Sequence, residues 1–156
     1  MGSVARRLGV TPMSLYRHVD NKGALLDGVV EALLDEVPAP DPAAGWTEQL
    51  AQMGRGIRAV ALAHPSVFPL LLQLPASTVG ARERRDLVLG VLALAGVAEH
   101  DLARIERVVS SMVLGFAASE VAGRLQAHPT ATMDEDFALL EHFVVTGITA
   151  LVSGEQ

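Results

Sequence analysis

The feature that most constrains this chain is a helical spacing of apolar residues that recurs in one segment after another. Leu102, Ile105, Val109, Met112, Val113 and Phe116 follow at three- and four-residue steps, the period of a single helix face. Leu25, Leu26, Val29, Val30, Leu33 and Leu34 repeat the pattern, with Asp27, Glu31 and Asp35 on the wet side. Similar stripes run through Leu50, Met53, Ile57, Val60 and Ala61, and through Phe137, Leu140, Phe143, Val144, Ile148 and Leu151. No stretch reads convincingly as a strand. Half of the residues are hydrophobic but only six are aromatic, so the core must be built from Leu, Val and Ala. That composition suits packed helices, and the spacing predicts an all-α fold of about nine of them.

Prolines, glycines and caps set the expected boundaries. A helix from Asn21 to Val37, capped by Asp20 or Asn21, stops at Pro38, Pro40 and Pro42. Trp46 to His64 ends at Pro65, and Pro65 to Gln73 forms a short apolar helix. A loop from Pro75 to Gly80 leads to a helix over Ala81–Ala95, opened by the charged run from Arg82 to Asp86, read as a solvated face. The longest helix spans Ala98–Gln126 and breaks at His128-Pro129. Thr132, with Glu135 three residues on, is a capping box that opens a last helix reaching about Val152.

The stretch from Val4 to Lys22 carries the strongest functional signal. Val4, Ala5 and Leu8 share a helix face, and Gly9 stands where a helix ends in the left-handed conformation. Thr11 can cap a second helix that starts at Pro12, where a missing N–H costs nothing. Leu15 and Val19 then point inward, which leaves Met13, Ser14, Tyr16, Arg17 and His18 to project elsewhere. Helix, glycine turn, helix is the layout of a DNA-reading helix-turn-helix. Charge agrees with this. The net charge is −6, yet residues 1–22 hold Arg6, Arg7, Arg17 and Lys22 against Asp20 alone. The head is therefore at +3 and the remaining chain at −9, a distribution suited to touching phosphates at one end.

These residues, VARRLGVTPMSLYRHVDNKGALL, resemble the helix-turn-helix of the TetR family of transcriptional repressors. The resemblance implies a DNA-binding segment over 1–22, a linking helix over 23–37 and a helical effector-binding and dimerisation domain over 46–156. It implies that Pro12, Met13 and Ser14 open the recognition helix at the base edges, with Thr11 also among the DNA-binding residues. Arg17 would pair with guanine, and Arg6, Tyr16, His18 and Lys22 would join the DNA contacts, with the last three on phosphates. The family places a full helix ahead of this motif, whereas only Met1, Gly2 and Ser3 precede it here. The first helix is thus expected to be missing, and specific operator binding to need its restoration. Met53 and Leu71 align with the Asn and His that hold drug and metal in tetracycline-binding members. No tetracycline–metal ligand is expected, and no metal or other cofactor.

The expected pocket is greasy, lined by Met53, Ile57, Leu71, Val88, Leu92, Met112 and Phe116, and takes an apolar effector. Gly54 and Gly56 lie inside the helix beside it at roughly 1 kcal/mol each relative to alanine, to clear a cavity or admit a close contact. Ser111, Gly115, Ser119 and Gly123 repeat every four residues as a small ridge. With Phe137, Leu140, Val144 and Ile148 it is expected to form a homodimer interface. Enzymatic signatures are missing: there is no nucleophile elbow, zinc-protease helix or phosphate loop, and the five histidines are scattered. There is no cysteine, which excludes disulfides and thiolate metal sites. The run from Ala59 to Ala81 is interrupted by Pro65, Pro69 and Pro75, so it is no membrane span. With no signal peptide visible, a cytoplasmic location is expected. The main expectation is a repressor that binds palindromic operator DNA as a homodimer and is released by an apolar small molecule. A truncated ligand-binding dimer that no longer reads DNA and a small helical enzyme are the alternatives.

Overall fold

The computed structural model describes residues 1–73, 78–125 and 132–154. Among these, every regular element is helical: α1 (Gly2–Arg7), α2 (Pro12–Tyr16), α3 (Lys22–Asp35), α4 (Trp46–Ala63), α5 (Leu70–Gln73), α6 (Val79–Leu94), α7 (Glu99–Val121) and α8 (Met133–Ser153). The all-α class is as expected. The direction of the Leu15 side chain, the loop opened by Pro75 and the break at His128-Pro129 lie outside the described residues.

Local chemistry explains the boundaries. Thr11 Oγ1 accepts from the Ser14 N–H at 3.1 Å and Asn21 Oδ1 from the Ala24 N–H at 2.9 Å, each satisfying a donor that the first helical turn leaves free. At α8 the capping box closes in both directions. The Glu135 N–H donates to Thr132 Oγ1 at 3.2 Å, and the Thr132 N–H to Glu135 Oε2 at 2.7 Å, which holds the Glu135 carboxyl below its usual range. Two expected helices are longer than the real ones. α2 stops at Tyr16, leaving Arg17 and His18 in a turn. α7 stops at Val121, because Gly123 turns left-handed (φ +67°). The N–H groups of Gly123 and Arg124 then fold back onto the carbonyls of Glu120 and Ser119, both at 3.0 Å. Gly123 therefore caps the helix and does not extend the small ridge.

α7 is the central element, packed on α4, α6 and α8, while α3 lies along α6 and α5. One buried cluster joins Leu50, Met53, Val91, Leu92, Val109, Val144 and Ile148. A second joins Leu33, Val37, Val60, Phe68, Ala117 and Ala118 beneath the end of α3. Arg58 ties three helices together. Its Nε and Nη2 donate to the two Glu120 oxygens and its Nη1 to Asp134 Oδ1, all at 2.7 Å, and its guanidinium lies 5.1 Å from the Phe137 ring centre.

The two glycines of α4 do different work. A methyl group at Gly56 would come within 3.1 Å of Pro38 Cδ and 3.2 Å of Val37 Cγ1, so this glycine admits the end of α3. At Gly54 the nearest atom would be Phe137 Cζ, at an ordinary 3.6 Å. Gly54→Ala is expected to stabilise the chain by roughly 1 kcal/mol through helix propensity. Gly56→Ala should show no such gain, because the rigid proline ring must give way. Chemical denaturation of the two variants checks the contrast, and equal gains would contradict it.

Candidate functional site

The first candidate site is the head. α1 ends at Leu8, Gly9 takes φ +70°, and its N–H and that of Val10 return to the carbonyls of Arg6 and Ala5. That turn packs α2 against α1 with Ala5 buried between them. Arg6, Thr11, Pro12, Met13, Tyr16, Arg17, His18 and Lys22 are all exposed, and Ser14 is half-buried under the Thr11 cap. The predicted DNA-facing side chains thus stand free in solution, with Arg17 and His18 just past the helix end. Val4, Leu8 and Val10 are exposed too, Leu8 at 62%, so the pair leaves apolar surface uncovered.

The second is a partly open cavity of about 250 Å³ between α3, α4, α6, α7 and α8, with Leu71 of α5 at its wall. Met53, Ile57, Leu71 and Val88 line it, as the sequence led us to expect. Leu92, Met112 and Phe116 do not, for reasons of helix rotation. Leu92 is fully buried in the cluster beyond the cavity. On α7 the inward stripe is Glu106, Val109, Ser110, Val113 and Leu114, which turns Met112 partly to solvent. Phe116 packs edge-on against Phe137 with ring centres 5.3 Å apart.

The same rotation corrects the expected dimer face. Phe137 and Ile148 are core residues, and Leu140 and Val144 line the cavity. All four are buried or half-buried within the subunit, and Val144 and Ile148 also border the groove between α7 and α8 that Val108, Met112 and Phe143 line. The outward side of α8 carries Leu139, Phe143 and Leu151, and that of α7 carries Val108 and Met112. A Cβ added at Gly115 or Gly147 would meet nothing within 4 Å, and Ser111 is exposed while Ser119 is half-buried. α8 is long and apolar enough, by length and composition, to cross a membrane. Within the subunit only its inward face is buried, at Phe137, Val144 and Ile148.

Sequence reasoning missed the polar residues of the cavity. The run read as a solvated face is exposed at Arg82, Glu83, Arg85 and Asp86, yet Arg84 and Arg85 also border the cavity. Arg84 Nη1 donates to the Pro38 carbonyl at 3.4 Å and Arg85 Nε to Glu106 Oε2 at 3.3 Å. Glu106 is 7% exposed and also accepts from Ser110 Oγ at 2.9 Å. Glu141 of α8 lines it too. Its Oε1 is buried and accepts no hydrogen bond among the described residues, with Arg55 Nη1 at 3.5 Å. A usable signal was present: Glu106 interrupts the stripe Leu102–Val109–Val113, and Glu141 the stripe Phe137–Val144–Ile148. A carboxylate inside an apolar stripe needs a partner or a ligand.

The linking helix reaches this cavity directly, through Val30, Leu34 and Val37. One turn from Leu34, the Glu31 carboxylate accepts the Gly80 N–H at 3.0 and 3.1 Å. It thereby docks on the N-terminus of α6, whose dipole favours an anion. Thr78 Oγ1 caps the same turn through the Ala81 N–H at 3.3 Å. α3 is thus fastened to the cavity wall by apolar contact and by charge.

Burial pushes the Glu141 carboxyl above its ordinary 4.5, against the opposing pull of Arg55. A carboxyl raised in this way adds stability below its unfolded value and loses it as pH rises through the folded one. Glu141→Gln should therefore melt higher than the parent at neutral pH, and the advantage should vanish as pH falls below 4.5. Thermal unfolding across that range checks it. A gain that persists in acid would mean that the charge is not the cause.

Residues 39–150 match the family described as tetracyclin repressor-like, C-terminal domain. An HTH-type transcriptional regulator of Saccharopolyspora erythraea is 31% identical over 127 residues, 81% of this chain and 54% of that protein. The HTH-type transcriptional repressor DrrR1 of Streptomyces coeruleorubidus is 30% identical over 143 residues, 88% of this chain and 52% of its own length. The chain thus spans about half the length of these curated relatives. Among solved structures, BioQ with its double-stranded DNA operator superposes with a TM-score of 0.80 at 29% identity, covering 96% of this chain and 84% of that one. The Streptomyces coelicolor protein ActR in complex with actinorhodin gives 0.77 at 23% identity, covering 95% and 85%, and supports the fold alone. With the match over 39–150 and the helix-turn-helix ahead of it, the chain belongs to the TetR family of transcriptional regulators.

Proposed function

We propose that the chain is a transcriptional repressor that reads palindromic operator DNA as a homodimer and releases it on binding a largely apolar small molecule. The observation that carries this reading is that one helix serves both sites. α3 begins at the Asn21 cap directly after the head, and its other end supplies Val30, Leu34 and Val37 to the cavity wall. A ligand that displaces those side chains must move α3 and the head with it. The structure of BioQ with its operator points the same way for the head. Reciprocity requires the effector to bind the DNA-bound form less well by the same factor it weakens DNA binding, commonly about 5–150-fold.

The subunit contact follows from the corrected outward faces. Val108 and Met112 of α7 and Leu139, Phe143 and Leu151 of α8 form one exposed apolar surface. With Gly115 and Gly147 open beside it, two copies can approach closely as a four-helix bundle. A second reading, a ligand-binding dimer that does not read DNA, draws on the uncovered Val4, Leu8 and Val10.

Selection from a random duplex library separates the two readings. The repressor reading expects enrichment of a palindrome with half-sites about one helical turn apart. Arg17→Ala should lose specific binding by about tenfold or more, and an amphipathic helix grafted ahead of Met1 should strengthen it. No enrichment by either form leaves the second reading standing. Independently, Phe143→Glu should turn the dimer into a folded monomer in sedimentation, since Phe143 is 61% exposed within the subunit. An unaltered dimer would place the contact elsewhere.

A further inference from the structure

The cavity wall is apolar except for Ser110 and four charged side chains, and three of these four already make hydrogen bonds. Glu106 accepts from Ser110 and Arg85, Arg85 is committed to Glu106, and Arg84 donates to the Pro38 carbonyl. Glu141 differs. Its Oε1 is buried with no hydrogen bond among the described residues. The nearest cation, Arg55 at 3.5 Å, already donates through Nη2 to Glu48 Oε1 at 2.7 Å. A buried acceptor without a donor is costly, and a charged donor that supplies the bond is worth more than a neutral one. An anionic ligand would fare worse. It could reach the remaining N–H groups of Arg84 and Arg85, but it would lie in the same small space as the Glu106 and Glu141 carboxylates.

We propose that the cavity accepts an amphipathic amine, its apolar body against Met53, Ile57 and Val88 and its ammonium group on the Glu141 carboxylate. This inference rests on the reading of the cavity as the effector site and adds the chemical class of the effector. The carboxylate also explains why such a ligand would be retained in one orientation. The apolar wall is non-directional, whereas Glu141 offers a single fixed charge on α8, away from the α6–α7 pair of Arg85 and Glu106 in sequence.

The test uses three probes that share one alkyl chain and differ in head group: decylamine, 1-decanol and decanoate. Each is titrated calorimetrically into the whole chain and into Glu141→Gln, with thermal unfolding to show that the variant is folded. Decylamine should bind the parent about tenfold more tightly than 1-decanol, and decanoate most weakly. In Glu141→Gln the amine should fall to the affinity of the alcohol. Equal affinities for amine and alcohol in the parent, or preference for decanoate, would overturn the amine inference and leave the cavity reading intact. An amine preference that survives in a folded Glu141→Gln would overturn it as well. If none of the three binds, the cavity reading falls, and the inference with it.

Discussion

The body of this protein depends on a buried ionic knot around Arg58. Its guanidinium reaches Glu120 on α7 with two bonds and Asp134 on α8 with a third, and lies over Phe137. Those contacts fix how far α4, α7 and α8 stand apart. Arg58 and Glu120 are 13% and 10% exposed, so removing Arg58 would strand the Glu120 carboxylate at about 3–5 kcal/mol. The knot also limits collapse. With α4 held at this distance and Gly54 offering no side chain, the space between Met53, Val88, Val113 and Val144 stays open as a cavity.

A second constraint sets how the cavity communicates. α3 is short, is capped at Asn21, and is fastened at its far half by Glu31 on the α6 N-terminus and by Val37 against Gly56. His64 adds a contact to Glu36 at 2.8 Å, and the prolines that follow stiffen the exit. A helix held this firmly at one end transmits a displacement as a rigid body. In the head, by contrast, α2 holds to α1 through a few local bonds and little buried surface. The stable part and the responsive part of the chain are therefore different parts.

Much of this was legible before any coordinates. The glycine turn at Gly9, the caps at Thr11 and Asn21, and the Thr132–Glu135 box depend on neighbours within three residues, so they are written locally. The apolar stripes likewise announced the helices. The ends of α2 and α7 were less legible, because an apolar pattern can outlast the helix that carries it. Gly123 looked like one more step of a small ridge until its φ of +67° placed it in a cap.

The sequence by itself determined that the chain is helical, where most helices begin, and that its basic head differs from its acidic body. Tertiary structure decided which side of each helix looks inward. Phe137, Leu140, Val144 and Ile148 had the composition of an interface and became core and cavity wall, while Leu139 and Phe143 took the outside. Arg84 and Arg85 had the composition of a wet surface and reached the cavity. Periodicity gives the spacing of a stripe but not its azimuth. On a helix apolar on two sides, that angle is set by the neighbours it meets, here through Arg58, Glu120 and the docked carboxylate of Glu31.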